Sequence, residues 1–123
     1  MSDRPRLIPD ESHPISVTPT GSRVVVTRGD HVVADTTRAL TLQEASYPPV
    51  QYVPLDDVDP AVLERTDHAT YCPYKGEAGY YSLVVDGERA DNAVWTYEAP
   101  YDAVDQIAGH VAFYPDQVSI SVD

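Results

Sequence analysis

Lys75 is the single lysine of this 123-residue chain, and Cys72, three residues before it, is the single cysteine. Every other basic side chain is one of seven arginines or four histidines. An ammonium differs from a guanidinium in two ways that matter for chemistry. It is a compact point charge rather than a planar fork, and it can lose its proton when buried, becoming a base or a nucleophile. Lys75 is therefore read as an anion contact or a reactive amine in a pocket; a surface lysine beside Gly76 in a turn is the structural alternative. Cys72 precedes Pro73. Thiols react as thiolates, which a cation three residues on would favour, although a lone cysteine also serves as a small buried apolar side chain. Catalysis, if there is any, would use Lys75, Cys72 and Glu44.

Other chemistries fare less well. His68 and Cys72 stand four apart, a spacing that pairs metal ligands on a helix, but this segment reads as entering a strand, and no metal or cofactor is implied. Gly21-Ser22 and the Asp57, Asp59 pair resemble fragments of a nucleotidyl-transfer site. However, the glycine opens a hairpin rather than a helix, and the acidic pair starts a helix rather than ending a strand. Gly-x-Ser-x-Gly, dinucleotide and P-loop patterns are missing from the chain. Aromatic residues crowd the second half, among them Tyr80, Tyr81, Trp95, Tyr97, Tyr101, Phe113 and Tyr114. They suit a core and cross-strand pairs, and equally a cavity for a small ligand.

Twenty acidic against eight basic residues give a formal charge of −12. Such a surface repels phosphate backbones and anionic lipid, which argues against nucleic-acid and membrane roles, while a pocket cation can still hold a small ligand. One cysteine forms no internal disulfide. The N-terminal "MSDRPRLIPDESHP" carries no apolar leader, so a cytoplasmic location is expected.

The elements that must position these residues read as short strands. Residues 1–12 are expected to form a flexible arm, and residues 13–123 one mainly-β domain. "SRVVVTR" and "HVVADT" flank Gly29-Asp30, a turn of type II′ composition, and "GYYSLVV" and "ERADNAVWTY" flank Asp86-Gly87. "RALTLQEA" alternates so that Leu40, Leu42 and Glu44 share one face. Either that carboxylate faces the interior or the strand ends at Gln43 and leaves it in solvent. "DPAVLERT", capped by Asp59, and "YDAVDQIAG" read as short helices in connections, the second with Asp102 as cap and Gly109 as stop. Seven or eight strands of this kind point to a compact antiparallel barrel or a two-sheet sandwich.

"VVADTTRALTLQEASYPPVQYVP", "TDHATYCPYKGEAGYYS", "NAVWTYEAPY" and "IAGHVAFYP", in this order, resemble the bacterial Domain of Unknown Function 427 family, over roughly His13 to Val122. The resemblance implies a mainly-β single domain with no settled activity, sometimes labelled nucleotidyltransferase-like. Carried over by position, it implies Glu44, Tyr52, Cys72, Tyr74, Lys75, Gly76, Trp95, Tyr97 and His110 as hallmark positions. The leading expectation is a small-ligand-binding domain with Lys75, Tyr74, Tyr52, Trp95, Tyr97 and His110 about the ligand and Glu44 as the opposing carboxylate. The alternatives are an enzyme using Lys75 or Cys72 on a small metabolite, and an interaction module whose strand edges pair with a second copy as a homodimer.

Overall fold

The computed structural model describes residues 5–123. Among the described residues ten strands follow one another: β1 (Ile15–Pro19), β2 (Val24–Arg28), β3 (His31–Thr36), β4 (Leu40–Glu44), β5 (Val50–Pro54), β6 (Leu63–Cys72), β7 (Gly76–Val85), β8 (Glu88–Thr96), β9 (His110–Phe113) and β10 (Ser119–Val122). They form two antiparallel sheets, one of seven strands in the order β1-β4-β5-β9-β8-β7-β6 and one of three in the order β10-β2-β3. The expected antiparallel mainly-β architecture is present as two sheets; among the described residues no barrel closes.

Turn chemistry fixes the two hairpins that have two-residue turns, β2–β3 and β7–β8. Gly29 takes a positive φ of 59° at the first turn position between β2 and β3, as a type II′ turn requires. Asp86 and Gly87 both take positive φ, at 52° and 79°, which is the type I′ pattern between β7 and β8. The expected helices shrink to single 3₁₀ turns. Asp59 does cap Pro60–Val62 through the Ala61 N–H. The chain then leaves as β6, because Leu63, Glu64 and Arg65 pair across to Leu83, Ser82 and Tyr81 of β7, and that pairing overrides local helix propensity. Asp102–Ile107 is likewise 3₁₀, kinked at Val104.

Two cores result. Val24, Val26 and Val33 of the small sheet pack with Val53, Leu83, Val94 and Phe113 of the large one. On the opposite face of the large sheet Leu42, Tyr52, Ala78, Tyr80, Tyr97 and Ala112 pack under Val104 and Ile107 of the last 3₁₀ turn. The expected arm over residues 1–12 begins in four residues that lie outside those described. From Pro5 onward the segment lies along the β6–β7 end: Leu7 N–H donates to Pro73 O at 3.0 Å, Tyr71 OH to Pro5 O at 2.6 Å, and Arg6 stands 4.2 Å over the Tyr101 ring. Among the described residues no helix is long and apolar enough to cross a membrane.

Candidate functional site

Lys75 sits in the turn between β6 and β7. Its N–H donates to Cys72 O at 3.2 Å and its carbonyl accepts from Tyr101 N–H at 3.0 Å, so both ends of the residue are held. The following Gly76 has φ 111°, a conformation that side chains rarely adopt, and a Cβ there would lie 3.4 Å from Ala99 O. Glycine thus lets the backbone double back and aim Lys75 inward. Glu44 closes β4 opposite Ile15 of β1. Alternation puts it on the face of Leu42, which is buried.

Near opposite ends of the seven-strand order, these two residues meet: Lys75 Nζ donates to Glu44 Oε1 at 2.6 Å. The contact requires the sheet to curl until its two ends face each other across the second core. The other carboxylate oxygen, Oε2, lies 2.7 Å from His13 Nε2, and the His13 ring stacks on Tyr74 at 4.2 Å with planes 8° apart. The Lys75 and Glu44 side chains are only 13% and 16% exposed. Burial by itself would raise the Glu44 pKa, but the hydrogen bonds from Lys75 and His13 outweigh it and hold the carboxylate below its ordinary value.

This ion pair stands at one end of a cleft of about 210 Å³. Tyr97 forms the adjoining wall, its ring centroid 5.9 Å from Lys75 Nζ. Tyr52 and Trp95 meet edge to face at 6.5 Å, and Trp95 Nε1–H donates to Tyr52 OH at 3.1 Å. Burial pushes the Tyr52 phenol up to about 12 and raises Tyr97 as well, so both present neutral hydroxyls. Tyr114 leans on Trp95 at 4.7 Å and forms the rim with Tyr47, while the buried Tyr80 lines the interior. The arrangement can stack a flat or apolar group on aromatic faces while one buried ammonium–carboxylate pair both donates and accepts hydrogen bonds.

Of the residues singled out in sequence, Lys75, Glu44, Tyr52, Trp95 and Tyr97 come together here. Tyr74 does not line the cleft and acts on it through His13. Cys72 is half-buried and packs against the second core. The His110 ring turns away, 3.0 Å from Ala108 O through Nδ1. His68 lies against the Tyr80 ring at 4.5 Å. The acidic pair is engaged in the fold: Asp57 accepts from Thr36 and pairs with Arg38, while Asp59 caps its turn and meets His31. Sequence reasoning missed His13 and Tyr47. Neither carries a local signal, since His13 stands where the expected arm ends and Tyr47 in the loop after β4. Tyr80 and Tyr114 were visible only as part of the aromatic crowd.

Residues 16–123 match the model of a family described as a domain of unknown function (DUF427). No curated protein matches the chain.

Proposed function

The chain belongs to the DUF427 family, and from that premise we propose that it is a small-ligand-binding domain whose site is the aromatic cleft ending at Lys75 and Glu44. One observation carries the reading: a nearly buried ion pair stands at the end of a tyrosine- and tryptophan-lined cleft. A buried pair contributes little net stability compared with well-packed apolar side chains, because desolvation offsets its Coulomb attraction. Its placement inside a cleft is better accounted for by a ligand that hydrogen-bonds to it. Because Lys75 is already balanced by Glu44, the preferred ligand carries an uncharged group that donates and accepts at once. At about 210 Å³ the cleft is smaller than the roughly 300–1,000 Å³ of drug-sized sites, so the group it holds is compact.

Thermal-shift screening of small uncharged aromatic and hydroxylated metabolites tests this. At a hundredfold excess over its dissociation constant a true ligand adds about 2.7 kcal/mol to stability. The expected result is a compound that raises the Tm of the wild type and leaves that of a folded Lys75→Ala variant unchanged. Compounds that stabilise both proteins equally would contradict a Lys75-centred site.

A further inference from the structure

The ladder between β5 and β9 is only two residue pairs long, Val53 with Val111 and Pro54 with His110. Continuing that register would set Tyr52 against Ala112 and Gln51 against Phe113. Instead β5 stays with β4, where Tyr52 and Val50 pair with Leu40 and Leu42, and β9 stays with β8, where Phe113 and Ala112 pair with Val94 and Trp95. The large sheet is therefore split at this end. A second cavity of about 510 Å³ lies at the split, walled by Pro49, Phe113, Pro115, Ile120 and Val122. It shares Tyr47, Pro48, Val50 and Trp95 with the Lys75 cleft, so the two spaces are neighbours along those side chains. None of its lining side chains is charged, on a chain with twenty acidic residues. Tyr47, Tyr114 and Val122, three large apolar side chains left substantially exposed, rim the combined opening.

We propose that the ligand is an amphiphile: a hydroxyl- or amide-bearing head at the Lys75–Glu44 pair and a straight apolar tail running past Trp95 into the groove between Pro49, Phe113 and Val122. This rests on the cleft reading above and adds the chemical class. The head meets the paired ammonium and carboxylate, which together offer a donor and an acceptor without net charge. The tail meets a cavity that by itself falls in the range of drug-sized sites and offers it only uncharged walls. Splitting one end of a sheet leaves unpaired strand backbone there, and a tail lying between the strands also shields it from water.

Trp95 is the only tryptophan, so its fluorescence reports on the shared wall directly. Straight-chain primary alcohols from butanol to decanol are titrated into the full-length protein. The expected dissociation constant falls about three- to fourfold per added methylene until the groove is filled. Val122→Asp, at a position 48% exposed and therefore compatible with folding, is expected to flatten that dependence and leave butanol unaffected. Lys75→Ala is expected to weaken every member by a similar factor. Equal dissociation constants along the series, or a chain-length dependence indifferent to Val122→Asp, would overturn the amphiphile. If a compact ligand still stabilised the wild type and not Lys75→Ala, the Lys75 cleft would stand without the tail groove. A series that binds Lys75→Ala as tightly as the wild type would overturn the placement of the head.

Discussion

Glu44→Gln is expected to destabilise the domain by about 2–3 kcal/mol, more than any change at Lys75. Breaking a buried ion pair by removing one partner costs roughly 3–5 kcal/mol, and the residual exposure of 13% and 16% places this pair below that range. The two sides are not equivalent. Glu44 serves two neighbours, Lys75 at 2.6 Å and His13 at 2.7 Å. Removing its charge strands both, whereas Lys75→Met leaves Glu44 still paired with His13, and about 1 kcal/mol is expected there. In a domain of this size the Glu44→Gln loss corresponds to a fall in Tm of roughly 8–15 °C. The pH dependence carries a sign as well. The folded-state pKa of Glu44 is depressed, so its stabilisation is complete above the unfolded value and is lost as pH falls through the folded one. Denaturant titrations from pH 7 to 3 are expected to bring wild type and Glu44→Gln together at the acid end. A constant gap across that range would show that the glutamate acts through packing rather than charge.

Tyr52→Ala is the more damaging change, with an expected loss of about 4–5 kcal/mol. The side chain is 1% exposed and packs with Leu42, Tyr80, Tyr97 and Ala112 in the second core. Truncating a buried aromatic ring costs roughly 3–5 kcal/mol in lost transfer energy and cavity. The Trp95 indole N–H also loses its acceptor, which adds a desolvation cost of order 1 kcal/mol. Total stabilities of single domains lie at about 5–15 kcal/mol, so a marginal wild type would not survive at 37 °C. Tyr52→Phe keeps the ring and forfeits only the acceptor, with an expected loss near 1 kcal/mol and an altered Trp95 emission. Comparing the two by urea unfolding separates ring packing from the hydrogen bond. Equal losses would mean that the hydroxyl, not the ring, holds this part of the sheet.

What was legible in the sequence was local. Gly29-Asp30 and Asp86-Gly87 announce their hairpins because a two-residue turn demands particular φ values, and the structure places β2–β3 and β7–β8 around them. The alternation of Leu40, Leu42 and Glu44 was readable because successive side chains of a strand point to opposite faces, and the inward choice for Glu44 is the one observed. β6 was not readable as a full strand. It lies at the edge of its sheet with most side chains exposed, so Leu63 to Ala69 show no apolar period, and a helical reading of "LERT" had nothing local against it. The Lys75–Glu44 contact joins residues 31 apart in sequence through the curl of a seven-stranded sheet, which no local pattern encodes. Only one end of that contact is marked in the sequence, by the single lysine. His13 and the split between β5 and β9 depend wholly on tertiary pairing.

Retention of a small molecule in the cleft at Lys75 and Glu44 is open to direct measurement. Native mass spectrometry of the freshly purified protein, compared with the same sample after mild denaturation and with Lys75→Ala, addresses it most directly. The expected result is an added small mass on the folded wild type that is lost on unfolding and missing from folded Lys75→Ala. The same added mass on wild type and Lys75→Ala alike would contradict it, placing any bound molecule elsewhere and leaving Lys75 a structural partner of Glu44.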